Sequence, residues 1–427
     1  MLSCFAQAET AEPVVEFSQS AYMALQSHPK ISISRKAVDL SKQELTKVES
    51  AFLPRVSLSL GIGREDSNNS STRVKAGFSS LEMERRESSI TLSQMLFDGF
   101  NADNLRQSQV EKVSAEKRAL WHFSSEVALK AIEAHLKVAS TNKALGDHLL
   151  NLKVHEKIAK DIALRVKSGK DDRARVSQIS ARLSLALANL EAAKSKVLSA
   201  GSDYLREVGE EPSRKLDFLG ELFSMPESEA ELIATMMQDN PYLASKNEQL
   251  NAQKFIEQAR QANRFPNVYL ESGASWNDNL DGVNGRNSDA FIMLRMRYDL
   301  YSGGADRADE RIAKYQTQTL RYERDDLYRE LKQEASRAWF SYQSNSKRIL
   351  FLQDYVESAQ TTKVAYTKQF NIGQRSLIDL LDAENELLKA KEQLNDAQSA
   401  LSLSKYQILH LQGSLLSNLS LDSLVAM

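Results

Sequence analysis

The chain repeats itself, and any fold it adopts must accommodate two copies of one plan. His28-Pro29 is echoed by Asn240-Pro241, and Phe52-Leu53-Pro54-Arg55-Val56 by Arg264-Phe265-Pro266-Asn267-Val268, both at an offset of 212 residues. Leu96-Phe97-Asp98-Gly99 returns as Leu300-Tyr301-Ser302-Gly303, and Lys167-Ser168-Gly169 as Asn371-Ile372-Gly373, both at an offset of 204. Gly99 to Gly169 spans 70 residues, and so does Gly303 to Gly373. The eight-residue difference in offset falls wholly between the proline and the first glycine. One part of the repeat is fixed in length and the other is free to vary.

The fixed part reads as long helix. No proline lies between Pro54 and Pro212 or after Pro266, and proline is the residue that would break such helices. Ala131, Val138, Leu145, Leu152, Ala159 and Val166 fall seven apart. After Gly169 the ladder is Val176, Leu183, Leu190, Val197 and Tyr204; after Gly373 it is Leu380, Leu387, Leu394, Leu401 and Ile408, each 204 residues on. Sevenfold spacing of this length predicts coiled-coil packing, with helices of roughly 100 Å at 1.5 Å per residue. Gly169 and Gly373 mark the tips of two helical hairpins.

The variable part reads as strands. Val56, Leu58, Leu60 and Ile62 alternate with Arg55, Ser57, Ser59 and Gly61. Ile90, Leu92 and Leu96 share one parity, Gln94 being the exception, and Val268 and Leu270 are a shorter match. Ile292, Leu294, Met296, Tyr298 and Leu300 alternate with Met293, Arg295, Arg297 and Asp299. Runs of about ten residues with one apolar face suit strands that cross a bilayer at a tilt. The stretches Arg64 to Glu87 and Asn277 to Asp289, rich in Ser, Asn, Asp and Gly, are expected to be solvent-facing loops that absorb the length difference. Four strands cannot close a barrel, and an open edge in lipid leaves backbone groups unpaired. Two chains would give an eight-stranded barrel filled by its own side chains, whereas three give about twelve strands and an open lumen. A coiled-coil protein with two β-hairpin caps and no pore is the alternative, and cell fractionation separates the two.

Composition narrows the function. Charged residues make up 26% of the chain, yet the formal charge is only −2 with Lys and Arg scattered, which is no nucleic-acid footprint. Mean hydropathy is −0.44 and no apolar run approaches ~18 residues, so a membrane crossing has to be made by strands. Cys4 is the only cysteine, which leaves the body without disulfides or thiolate metal sites. Residues 1–8 read as the remnant of a signal peptide, with Ala6-Gln7-Ala8 as the small-x-small cleavage pattern. His122, His135, His148 and His155 lack the i,i+4 pairing of a zinc site. Asp171-Asp172 and Asp325-Asp326 read as solvated turn or helix residues. No Ser/His/Asp set and no phosphate-binding loop stands out, so neither an enzyme nor a cofactor is expected. Phe97, Phe100, Trp276, Tyr298 and Tyr301 are candidates for an aromatic girdle at the membrane interface.

At this point the chain resembles the TolC family of outer-membrane factors over nearly its whole length. The marks are Phe52-Leu53-Pro54, Ser93-Gln94-Met95-Leu96-Phe97-Asp98-Gly99, Arg297-Tyr298-Asp299-Leu300-Tyr301-Ser302-Gly303-Gly304 and Phe370-Asn371-Ile372-Gly373-Gln374-Arg375-Ser376-Leu377-Ile378-Asp379-Leu380-Leu381-Asp382-Ala383-Glu384. The resemblance implies an α+β membrane protein: four transmembrane strands per chain closed as a 12-stranded barrel in a homotrimer, continued by a periplasmic α-barrel of duplicated helical hairpins. The chain then divides into an initial helical segment 9–53, β-hairpin 54–98, helical hairpin 99–200, an equatorial linker with the first helices of the second repeat 201–265, β-hairpin 266–302, helical hairpin 303–417 and tail 418–427. Pro54 and Pro266 would open the strands, and Asp98, Gly99, Gly303 and Gly304 would turn strand into helix.

The resemblance also implies site residues and partners. Asp379 and Asp382 match carboxylates that line the narrow periplasmic end of the family's channels. Their i,i+3 spacing puts them on one helical face, and threefold symmetry would make each a ring favouring cations. Gly169, Lys170, Arg173, Gly373, Gln374, Arg375 and Ser376 would form the tips that meet a periplasmic adaptor protein. Where the family's best-known gate has a polar and an acidic residue at the first tip, this chain has Ala174 and Arg175. The expected partners are an inner-membrane ABC transporter, outer-membrane lipid and an exported polypeptide, because the run Gln374 to Leu387 looks most like members that serve type I secretion of large adhesins and repeat toxins. A proton-driven pump for drugs or metals is the alternative.

Overall fold

The computed structural model describes residues 15–75, 80–169, 172–213, 216–218 and 223–425. Residues 1–8, where a signal-peptide remnant is expected, Lys170 and Asp171 lie outside them. Helices α1 (Phe17–Ser27) and α2 (Pro29–Glu49) lead to strand β1 (Arg55–Ser67), the short helix α3 (Ser70–Lys75) and strand β2 (Leu81–Phe97). Helices α4 (Asn101–Lys167) and α5 (Arg173–Val208) complete the first repeat. The second runs α6 (Glu229–Asp239), α7 (Pro241–Arg260), β3 (Asn267–Leu280), β4 (Val283–Arg297), α8 (Ala305–Asn371) and α9 (Leu377–Leu411), before a last turn α10 (Leu415–Asn418). α4 and α8, at matching places in the two repeats, are each 67 residues long.

The chain forms two compact units, one of Met1–Arg35, Arg118–Ala244 and Asp326–Met427, the other of Lys36–Lys117 and Ser245–Asp325. In the first unit α9 is the central helix. Its Lys391 reaches Asp147 of α4 at 2.9 Å, its Asn395 donates to the Ser140 carbonyl of α4 at 3.0 Å, and its Glu384 meets Lys363 of α8 at 3.2 Å. Near the start of α9, Leu377, Leu380 and Leu381 share one core with Ile158, Ile162, Ile179 and Phe370. At its other end Ile408 and Leu411 join Leu232, Met236, Leu331, Ala335 and Trp339.

The second unit contains a four-stranded antiparallel sheet in the order β1-β2-β3-β4. The register aligns Val56, Leu92, Ser272 and Ile292, and next Leu58, Ile90, Ala274 and Ala290, on one face. Ser59, Ser89, Ser275 and Asp289 lie on the other. The apolar face is uncovered: Leu58 is 68% and Ile292 73% exposed. A face of this kind belongs against lipid rather than water.

The expected loops are mostly strand, which corrects the reading of Arg64 to Glu87 and Asn277 to Asp289. β1 runs on to Ser67 and β2 starts at Leu81, while β3 and β4 leave only Asp281 and Gly282 between them. Polar composition there reflects water on both faces rather than loss of the ladder. Arg85 ties β2 to Glu65 of β1 at 2.8 Å, and Arg286 pairs with Asp278 across β4 and β3 at 3.4 Å. The extra length sits in the connection 68–80, which carries α3, and is partly offset by a longer exit after β4.

Pro54 and Pro266 stand directly before β1 and β3. Leu53 and Phe265 ahead of them are extended, with ψ of 152° in both, as a following proline requires. The turns from strand to helix need two successive residues with positive φ: Gly99 and Phe100 in the first repeat, Gly303 and Gly304 in the second. Asp98 then accepts from the Ala102 N–H at 2.8 Å, satisfying a free donor at the start of α4.

Candidate channel gate at the hairpin tips

Each tip is closed by a glycine in the left-handed region, Gly169 at φ 68° and Gly373 at φ 79°. At the second, the Gly373 N–H donates to the Phe370 carbonyl at 3.1 Å and the Gln374 N–H to the Gln369 carbonyl at 2.9 Å. These are the paired bonds of a Schellman termination, which only a residue free to take positive φ permits cheaply. Ser376 then caps α9, its hydroxyl accepting from the Asp379 N–H at 3.1 Å. At the first tip Asp172 caps α5 by accepting from the Ala174 N–H at 3.3 Å, so Arg173 opens the helix exposed to solvent.

Asp379 and Asp382 are both solvent-accessible, and each has an arginine. Arg375 lies 3.8 Å from Asp379, donates to the Gln369 side chain at 3.0 Å and stacks over the Tyr366 ring at 4.1 Å. Arg182 of α5 donates to Asp382 of α9 at 3.1 Å. The first contact is within one hairpin, while the second crosses from the first hairpin to the second. Asp379 also carries a local duty: three residues after the cap, its charge faces the positive end of the α9 dipole.

Sequence reasoning found both carboxylates but missed Arg182, Tyr366 and Gln369. Arg182 left one usable signal: it directly precedes the ladder residue Leu183, at the flank where coiled coils place interhelical charge pairs. Gln374 stays exposed, and its main-chain bond to the Gln369 carbonyl is the one it makes among the described residues. The four histidines do not cluster, and among the described residues no group of three or more His, Cys, Asp or Glu could hold a metal.

Comparison with known proteins gives this arrangement its setting. The Outer membrane efflux protein family matches the chain twice, over residues 21–202 and 232–414, once in each repeat. The outer membrane efflux protein BepC of Brucella suis is 24% identical over 91% of this chain and 83% of its own length. The alkaline protease secretion protein AprF of Pseudomonas aeruginosa is 24% identical over 88% of this chain and 80% of its own. In fold, the chain superposes on the outer membrane channel CmeC of Campylobacter jejuni with a TM-score of 0.82 at 14% identity, covering 97% of this chain and 91% of that one. With both repeats matched, the chain belongs to the outer membrane efflux protein family, the TolC-like channels of the outer membrane, which are not enzymes.

Proposed function

We propose that three copies of this chain form an exit duct of a trans-envelope export system, and that its passenger is a polypeptide. The open edges of the sheet carry this reading. β1 and β4 each have a partner on one side only, and backbone groups left unpaired in lipid cost several kcal/mol each. Pairing β4 of one copy with β1 of the next satisfies both edges, and three four-stranded sheets make a barrel of twelve strands with an open lumen. The helices also keep large apolar side chains exposed, Leu185, Leu187 and Leu198 on α5 and Tyr315, Tyr322 and Phe351 on α8, which contact between copies would cover. Native mass spectrometry of the detergent-purified protein should give a trimer; a monomer or dimer would overturn the architecture.

In this trimer the tips would meet a periplasmic adaptor, and an inner-membrane ABC transporter would supply the energy. Two features favour a polypeptide passenger: the tip run Gln374 to Leu387, and a relative named for protease secretion. Efflux of small molecules is the second reading, favoured by a relative named for efflux. Deleting the gene and comparing secreted proteins separates them. Loss of one or a few large proteins supports secretion, while an unchanged profile with new sensitivity to toxic compounds supports efflux.

The gate follows from the Arg182–Asp382 pair. With the pair formed, the first hairpin holds the second, and the carboxylate is neutralised where threefold symmetry would otherwise gather three of them. Opening separates α5 from α9 and leaves the Asp382 charges free to favour cations. Arg182→Gln, and separately the double change Asp379→Ala with Asp382→Ala, should raise single-channel conductance in planar bilayers. Unchanged conductance in both would remove the gate from the tips.

A further inference from the structure

The polar face of the sheet has opposite charge at its two ends. At the end that joins the helices it carries Arg55 of β1 and Arg295 and Arg297 of β4, against one carboxylate, Glu271 of β3. Glu271 is taken by Arg295 at 2.6 Å. Arg55 and Arg297 are exposed, and neither has an ion-pair partner among the described residues. Asp299 follows beyond the end of β4. Next along this face comes one uncharged row, Ser57, Thr91, Gly273 and Phe291. The row after it holds Asp289 beside Ser59, Ser89 and Ser275, and beyond that come Glu87 and Glu65, with Arg85 bound between them.

The apolar face must meet lipid, so this polar face lines the lumen. We infer that Arg55, Arg295 and Arg297 form an arginine belt at the inner mouth of the barrel that docks acidic segments of the passenger. The inference rests on the trimeric duct proposed above, in which three copies of the belt close into a ring. Guanidinium groups present a planar fork that matches carboxylates in pairs, and rings of arginine select anions. The belt's field reaches about 10 Å into the lumen at 0.1 M salt, so it acts on a chain threading past without a fitted pocket. The uncharged row gives an acidic segment nothing to hold, and the outer carboxylates repel it, which assigns the docking to the inner end.

Fluorescence anisotropy of a labelled poly-L-glutamate peptide on the purified trimer tests the belt, and does so without a conducting gate. The wild type should bind it, and the triple variant Arg55→Gln, Arg295→Gln, Arg297→Gln should bind about tenfold more weakly at 0.1 M salt, the gap closing as salt is raised. Labelled poly-L-lysine should gain nothing from the wild-type belt. A trimer that ignores polyglutamate, or a triple variant that binds it as the wild type does, would overturn the belt and leave the duct standing. A protein that is not trimeric by native mass would overturn both, and the mass measurement tells the two failures apart.

Discussion

The two repeats build the same buried site from opposite materials. In the first, Ser20 of α1, His135 of α4 and Tyr204 of α5 meet in a polar chain. The positions equivalent by the repeat offsets are Leu232, Trp339 and Ile408, all apolar and joined in one core. Burial is complete or nearly so in both: His135 is fully buried and Trp339 is 9% exposed. The polar version is ordered by its bonds. His135 Nε2 lies 2.9 Å from the Asp217 carbonyl, so it must be the nitrogen that carries hydrogen. Nδ1 then accepts from the Ser20 hydroxyl at 2.8 Å, and the Ser20 oxygen in turn accepts from the Tyr204 hydroxyl at 2.9 Å. At equivalent places one scaffold therefore carries either an apolar contact or a fully satisfied polar chain, the latter set among the buried apolar residues Phe17, Ala21, Ala24 and Leu25 of α1.

The sharpest way to break that comparison is to place one repeat's residue in the other's surroundings. Trp339→His copies the first repeat into the second, where Leu232 and Ile408 offer no hydrogen-bond partner. The variant loses a large aromatic and strands polar nitrogens in a dry core, so it should lose about 3–5 kcal/mol. Urea unfolding followed by circular dichroism measures it. A loss below about 1 kcal/mol would mean that the site is wet or loosely packed, and that the two versions are interchangeable.

The turns from strand to helix show a second asymmetry. Gly99 and Gly303 have nearly the same φ, 70° and 68°. A Cβ at Gly99 would sit 2.6 Å from the Ala262 carbonyl oxygen and 3.0 Å from the Phe265 Cβ, whereas one at Gly303 would meet nothing within 4 Å. Gly303→Ala should cost only the backbone penalty of about 1–2 kcal/mol, and Gly99→Ala about 2 kcal/mol more because backbone has to move. Equal thermal shifts in the two variants would show that the neighbouring segment 261–265 yields freely.

Much of this was legible in the sequence because periodicity reports backbone plan. The 204-residue offset from Gly99 to Gly303 and from Gly169 to Gly373 located both long hairpins, and alternation at Val56 to Ile62 located a lipid-facing strand. Strand ends were not legible: beyond Ile62 and before Asp289 both faces are polar, so the period-two signal vanishes while the ladder continues. The tip carboxylates were found through resemblance, but Arg182 was not, since a salt bridge between helices 200 residues apart in sequence leaves no local pattern. For His135 the sequence shows only that a metal-like spacing is lacking. Its role depends on Ser20, Tyr204 and the Asp217 carbonyl, which only the fold brings together.

The same contrast predicts that acid acts on the first repeat's site and not on the second's. Burial lowers the His135 pKa from 6.5 to about 4, the carbonyl bond to Asp217 opposing the shift only in part. The folded chain thus keeps this histidine neutral while the unfolded chain takes a proton below about 6.5. The stabilisation is complete above that pH and is lost as the pH falls toward about 4, by up to about 1.4 kcal/mol per pH unit for one proton. His122 and His410, half-buried, are lowered to about 4 as well, chiefly by desolvation, and add to the slope in the same direction. Trp339 contributes nothing. His135→Gln keeps a donor and an acceptor but cannot take the proton, so urea unfolding between pH 6.5 and 4.5 should show a slope lower by up to one proton than the wild type. If the slopes coincide, His135 is protonated in the folded state, its Nδ1 can no longer accept from Ser20, and the hydrogen-bond order assigned to the first repeat has to be reversed.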